Sequence, residues 1–126
     1  MRFYEFDRGQ ILIDGQDIKD YSQEALRKSI GLVLQEPFLY HGTIASNIRM
    51  YHEELTDEDV RQVAAFVDVA DFIESLPSGY DHPVTERGST LSPGQRQLLA
   101  FARTIAAQPK ILILDEATAN IDQETE

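Results

Sequence analysis

Short apolar runs and alternating segments near both ends of the chain predict β-strands. Residues 11–18 (ILIDGQDI) alternate between apolar and polar positions around Asp14-Gly15, a dipeptide that readily forms tight turns. Residues 30–34 form a short apolar run that predicts a second, buried strand. Residues 111–114 are bulky and uninterrupted, which is typical of a central parallel strand covered on both faces.

Capping residues followed by apolar stripes predict helices between these strands. Ser22 can cap a helix whose inward-facing residues are Ala25 and Leu26. Thr43 can cap a second helix after the loop PFLYHG. Thr56 stands three residues before an acid, ahead of a third segment with an apolar helical stripe. The members of this stripe are Val60, Val63, Ala64 and Val67.

A further helix starts at a turn of small residues. Ser92, Pro93 and Gly94 can open a helix whose N–H groups and positive dipole end face an anion. Apolar side chains follow at helical spacing until Pro109 ends the helix. These side chains are Leu98, Leu99, Ala102, Ile105 and Ala106. The order of elements predicts an α/β core with an α-helical subdomain inserted between its strands.

Composition narrows the class of protein. The chain has 126 residues, enough for one small domain, and a net charge of −11 with eleven scattered Lys and Arg, which argues against a nucleic-acid groove. It has no cysteine, so disulfides and thiolate zinc sites are excluded, which fits a reducing compartment. Its apolar runs fall far below the roughly 20 residues of a membrane span, and an export signal is not evident. A soluble chain is therefore expected.

Two acids follow the strand at residues 111–114. Open α/β sheets place their chemistry at the carboxyl ends of parallel strands, so Asp115 and Glu116 are candidates for a metal ligand and a base. Acids at strand ends also commonly face solvent. The turn at Ser92 likewise has a simpler interpretation as an ordinary capped helix start.

The stretch LSPGQRQLLAFARTIAAQPKILILDEATANID, residues 91–122, resembles three consecutive motifs of the ATP-binding-cassette (ABC) family: the signature, Walker B and the D-loop. The resemblance implies that Asp115 holds Mg²⁺ through water and that Glu116 polarises the attacking water. It also implies that Asp122 crosses a dimer interface. The family more often has glycine at the position of Pro93, and Ser-Ala-Leu-Asp where this chain has ANID.

The same resemblance gives the helix start a role in a dimer. It implies that Ser92, Gly94 and Gln95 contact the γ-phosphate of ATP held by the opposite subunit. A helix N-terminus suits this contact because its N–H groups and dipole attract anions. The implied partner is a second nucleotide-binding domain.

The segment QEPFLYHGTIASNI resembles the Q-loop of exporter-type cassettes. The resemblance implies that Gln35 reaches Mg²⁺ and the water, while the following apolar residues meet a transmembrane domain. Those residues are Phe38, Leu39 and Tyr40, for which core packing is the alternative. Glu86 and Arg87 precede the signature, where exporters touch the coupling helices; a charged surface loop is the alternative there.

One motif of the family is missing from the chain. No G-x-x-x-x-G-K-[ST] phosphate loop occurs, and none of Lys19, Lys28 and Lys110 follows a glycine. No histidine follows Glu116 at the distance of the family's switch histidine. The chain thus resembles the middle of a cassette, with core pieces at about 1–36 and 108–126 and a helical subdomain at about 37–107. We expect it to be inactive alone, and poorly stable or self-associating because sheet edges are left open.

The leading hypothesis is a partial P-loop NTPase core with an inserted helical subdomain, from the nucleotide-binding domain of an ABC exporter. The implied cofactors are ATP and Mg²⁺. The implied partners are a second such domain and a transmembrane domain, which places the parent protein at the cytoplasmic side of the membrane. Alternatives are a soluble ABC ATPase acting on nucleic acid or ribosomes, and a non-catalytic interaction module. The Q-loop run and the acidic balance favour the exporter.

Overall fold

The computed structural model describes residues 2–50, 52–85 and 88–115, which form short strands, five α-helices and two 3-10 turns. The strands are β1 (Leu12–Ile13), β2 (Gln16–Asp17), β3 (Ile30–Val33), β4 (Gly42–Thr43), β5 (Pro83–Val84) and β6 (Ile111–Leu114). The α-helices are α1 (Gln23–Lys28), α2 (Ile44–Arg49), α3 (Asp57–Phe66), α4 (Ala70–Ser75) and α5 (Pro93–Ala106). The 3-10 turns are Ile18–Asp20 and Gly79–Asp81.

The predicted turn at Asp14-Gly15 joins an antiparallel hairpin. β1 pairs with β2 in the register Leu12↔Asp17 and Ile13↔Gln16. Both turn residues have positive φ, 51° for Asp14 and 80° for Gly15, as a two-residue hairpin turn of this hand requires. The sequence prediction of a strand and turn is confirmed here.

β3 and β6 form a parallel pair, although 77 residues lie between the end of β3 at Val33 and the start of β6 at Ile111. The register runs from Ile30↔Ile111 to Val33↔Leu114, so both strands end at the same edge. Helix α5 crosses this pair closely at Gly31, where an added Cβ would lie 2.5 Å from Thr104 Cγ2 and 2.8 Å from Pro109 Cγ. Glycine at this position therefore permits the helix to pack on the strand.

The helices begin where their capping residues predict. Ser22 Oγ accepts a hydrogen bond from Ala25 N at 3.1 Å. Thr43, Thr56 and Ser92 each form a reciprocal capping box with the residue three positions later. Because these bonds satisfy N–H groups that a helix leaves open, each start is fixed locally.

The main hydrophobic core lies within residues 39–106, which we call the helical region. Its fully buried large side chains come from the Q-loop segment, from α2 to α5 and from β5. They are Leu39, Ile44, Ile48, Val60, Val69, Ile73, Val84 and Leu99. In the described part of the chain, no helix is long and apolar enough to cross a membrane.

The prediction that residues 111–114 are covered on both faces is wrong. All four side chains of β6 are exposed, from 37% for Leu112 to 46% for Leu114. Within the described residues β6 pairs only with β3. Ala25 is likewise exposed, although Leu26 beside it is buried, and β3 ends at Val33 rather than at residue 34.

Candidate functional site

The carboxyl edge of the parallel pair collects two of the predicted site residues. Asp115 directly follows β6, and its N–H donates to Val33 O at 3.0 Å, so the pairing continues to the acid itself. Gln35 stands two residues after the end of β3. Since parallel strands that pair in register end together, both residues lie at one edge of the sheet. Glu116, the predicted catalytic acid, lies outside the described residues.

The donors at this edge suit Mg²⁺. The carboxylate of Asp115 and the amide oxygen of Gln35 are hard oxygen ligands, and Mg²⁺ is usually held by one or two carboxylates together with waters and substrate phosphates. Among residues 2–50, 52–85 and 88–115, no group of three or more His, Cys, Asp or Glu could hold a metal ion. Two oxygen donors at one edge can form part of such a ligand set.

The start of α5 is a capped helix N-terminus. Ser92 Oγ accepts from Gln95 N at 3.2 Å, and Gln95 Oε1 accepts from Ser92 N at 2.9 Å. Pro93 occupies the first helical position, where its missing N–H costs nothing. The N–H of Gly94 comes next, in the first turn, where the helix offers no acceptor. Ser92 and Gln95 thus hold the turn, and Gly94 presents the N–H.

An open groove of about 690 Å³ joins the sheet edge to this helix. One wall is the segment from Gln35 to Phe38; the other contains Ser89, Pro93, Arg96 and Gln97. Arg96 is held in place, since its Nη1 donates to Leu91 O at 2.6 Å. Gln97 is only 3% exposed, and its Nε2 has no hydrogen-bond partner within the described residues. The groove thus contains a buried amide that a bound group could satisfy.

The residues predicted to meet a transmembrane domain divide into two kinds. Phe38 and Tyr40 are 50% and 44% exposed, and their rings meet edge to face with centroids 5.0 Å apart. Leu39 between them is fully buried in the core of the helical region, so its side chain cannot belong to the contact surface. Core packing, the alternative for Leu39, is the correct interpretation. Glu86, Arg87 and the D-loop acid Asp122 lie outside the described residues.

Sequence reasoning missed two polar residues beside this loop. Asn47 is 1% exposed, and Arg103 on α5 donates to its backbone and side-chain oxygens across 56 positions of sequence. The available signal is a polar residue inside an apolar helical stripe. Asn47 stands between the buried Ile44 and Ile48, where an unpaired amide would be costly.

Comparisons with known proteins match the whole chain, or nearly all of it, to one family. The family described as ABC transporter matches residues 1–119. A Streptococcus pneumoniae protein whose name describes it as an ABC transporter ATP-binding protein is 72% identical over the whole chain. The fatty acid ABC transporter ATP-binding/permease protein of Mycobacterium bovis is 46% identical over the whole chain. The solved structure of a bacterial Atm1-family ABC exporter with ATP bound has a TM-score of 0.90 and 44% identity over 97% of this chain.

These relatives are much longer than the chain. It spans 21% of the Streptococcus protein, 20% of the Mycobacterium protein and 21% of the exporter in the solved structure. The similarity therefore concerns about a fifth of each.

Proposed function

The chain belongs to the ABC transporter family, and we propose that it is the middle part of the nucleotide-binding domain of an ATP-driven exporter. The observation that carries this proposal is the sheet edge where Gln35 and Asp115 lie together, joined by the groove to the capped start of α5. Its relatives are named ABC transporter ATP-binding proteins and the matching solved structure is that of an ABC exporter, which favours export over action on nucleic acid or ribosomes.

Asp115 and Gln35 would hold Mg²⁺ in this proposal. When bound, the ion neutralises the charge that develops on the transferred phosphoryl group. The N–H of Asp115 donates to Val33 O, and this hydrogen bond fixes the backbone that carries the carboxylate at the end of the strand. Glu116 follows it in sequence and is proposed as the group that orients the attacking water.

Ser92, Gly94 and Gln95 are proposed to act across a dimer. The capping box holds the turn rigid, and the N–H of Gly94 together with the helix dipole would face the γ-phosphate of ATP on a second nucleotide-binding domain. Asp122 is proposed to cross the same interface. The chain itself contains no G-x-x-x-x-G-K-[ST] phosphate loop.

Phe38 and Tyr40 are proposed to contact the transmembrane domain. They are exposed aromatics on the loop that follows Gln35, so a change at the magnesium ligands has a short covalent path to them. Glu86 and Arg87 are proposed to lie in the same contact. The full-length protein would then act at the cytoplasmic side of the membrane.

The test uses the full-length protein that contains this chain. Asp115→Asn and Glu116→Gln should each lower ATP turnover by about 100-fold or more, because each removes a charge that acts on the transition state. Asp71→Asn, at an exposed acid on α4, is the matched control and should leave turnover unchanged. Turnover that survives Asp115→Asn at the level of the control would contradict the proposal.

The chain by itself should not hydrolyse Mg-ATP, since its phosphate-binding parts are incomplete. ATP hydrolysis by the purified chain is measured by phosphate release. Activity that Glu116→Gln abolishes would overturn this expectation.

A further inference from the structure

Arg103 ties the middle of α5 to the loop that carries the exposed aromatics. Its guanidinium donates to Asn47 O at 2.9 Å, to Asn47 Oδ1 at 2.8 Å and to Phe38 O at 2.9 Å. It also lies over the Tyr40 ring, 5.2 Å from the centroid. A planar fork of N–H donors can reach three acceptors at once, which the single ammonium of a lysine cannot reproduce.

Asn47 holds the same loop from α2. Its Oδ1 accepts from Tyr40 N at 2.8 Å, and its Nδ2 donates to Tyr40 O at 2.8 Å and to Thr43 O at 3.0 Å. The side chain thus pairs with both backbone polar groups of Tyr40. Because Asn47 is 1% exposed, water has little access to replace these bonds.

The two residues form one network, the Asn47–Arg103 clamp. Asn47 Oδ1 accepts both from Tyr40 N and from Arg103 Nη2, so the loop and α5 share one acceptor. Helix α5 spans Pro93–Ala106 without a break, and Arg103 lies eleven residues after the cap at Ser92. A displacement of the start of α5 therefore moves Arg103 as well, because the helix is one rigid element. The charge-assisted hydrogen bonds of Arg103 then transmit this movement to the loop.

We propose that Arg103 is a positioning residue that, through Asn47, fixes the Phe38–Tyr40 surface to α5, so that the surface and the helix start at Ser92 move as one body. This inference rests on the proposed function, because a fixed geometry between the two matters only if one meets nucleotide and the other a transmembrane domain.

The first test measures amide hydrogen exchange in the full chain by NMR. Arg103→Lys should speed exchange of the Tyr40 amide about tenfold or more, because the loop loses charge-assisted hydrogen bonds. Exchange of the Ile73 amide, which donates to Val69 O in α4, should stay within about twofold. Arg49→Lys is the matched control. Arg49 lies on α2 and holds a different segment, with Nε donating to Leu55 O at 2.9 Å, so Tyr40 should not respond.

Arg103→Lys keeps the charge and most of the stem, so this variant should fold. Arg103→Met removes the charge as well and should speed exchange at Tyr40 further. Equal acceleration at Tyr40 and Ile73 in Arg103→Lys would show general destabilisation and overturn the inference. An unchanged Tyr40 amide would also overturn it.

The second test separates this inference from the proposed function by ATP kinetics of the full-length protein. Arg103→Lys should lower kcat about fivefold or more with KM for ATP within about twofold, since the clamp positions the helix without binding nucleotide. Arg49→Lys should change neither. A wild-type protein without ATP hydrolysis would refute the proposed function, and the exchange measurement would still decide the clamp. A wild type that hydrolyses ATP and an Arg103→Lys variant with unchanged kcat would refute the clamp alone.

Discussion

The helical region and the parallel pair β3–β6 are made of similarly apolar segments, yet they are buried to different degrees. Ile48 and Ile73 in the helical region are fully buried, whereas Ile113 in β6 is 42% exposed. The helices find their covering layers within residues 39–106, since α2, α3, α4 and α5 pack on one another. The burial of β6 requires layers that the described residues do not supply. Apolar pattern alone does not determine burial.

The candidate site contains residues from both regions, so this difference in burial divides it. The helix start at Ser92 belongs to the region with its own core, and Asp115 belongs to the exposed sheet. We therefore expect the half proposed to face a partner's phosphate to keep its geometry better than the half proposed to hold Mg²⁺. The predictions below compare the two regions by matched changes.

The largest difference should appear on truncation of one isoleucine in each region. Ile48→Ala removes a fully buried side chain and should lower the free energy of unfolding by about 2–5 kcal/mol. Ile113→Ala removes one that is 42% exposed and should cost clearly less, about 1 kcal/mol or below. Urea unfolding followed by far-UV circular dichroism measures both. Equal losses would mean that β6 is buried in solution.

The contact between the two regions is tested at Gly31. A Cβ there would meet Thr104 Cγ2 at 2.5 Å, so Gly31→Ala should cost about 1–3 kcal/mol by overpacking. Adding Thr104→Ser removes that methyl group and should recover part of the loss, with the contact to Pro109 remaining. The same unfolding experiment gives both values. A double variant no more stable than Gly31→Ala would indicate that α5 does not lie on β3 as described.

Matched substitutions at two capping boxes distinguish a structural role of Ser92 from a functional one. Ser92→Ala and Thr56→Ala each remove a cap hydrogen bond and should each cost about 1 kcal/mol of stability. Only Ser92→Ala should also lower ATP turnover in the full-length protein. A matching loss of turnover in Thr56→Ala would show that Ser92 acts through stability alone.

The smallest effect is a pH dependence at the start of α3. The hydroxyl and N–H of Thr56 both donate to Asp59 and hold the pKa of this carboxyl below its usual value. A lowered folded-state pKa stabilises the fold above the unfolded pKa of about 4, and this contribution is lost as the pH falls through the folded pKa. Asp59→Asn should therefore flatten the acid side of the stability curve. An unchanged slope in urea unfolding at several pH values would contradict it.

Local features of the fold were predictable from the sequence. The turn at Asp14-Gly15 and the helix starts at Ser22, Thr56 and Ser92 depend on residues within four positions, and the structure confirms them. The exposure of β6 was not predictable, because it depends on layers beyond the strand. The burial of Leu39 between two exposed aromatics was missed for a related reason, since its partners come from distant helices.

The candidate site shows the same limit. The motifs predicted Gln35 and Asp115 individually, and the parallel pairing places them at one edge. Arg103 and Asn47 could not be paired from sequence, because 56 positions separate them and the resemblance implied a role for neither. A polar residue inside an apolar stripe, such as Asn47, indicates a partner from a distant part of the chain.

Native-state hydrogen exchange of the full chain tests the contrast between the regions most directly. The amides of Ile111 and Asp115 donate to Ser29 O and Val33 O in the exposed sheet, and those of Val69 and Ile73 donate within the helical region. We predict protection about 100-fold or more higher for Val69 and Ile73, because the side chains of β6 are already exposed and its release from β3 uncovers little further apolar surface of that strand. Equal protection of the four amides would contradict the account, since the two regions would then open together.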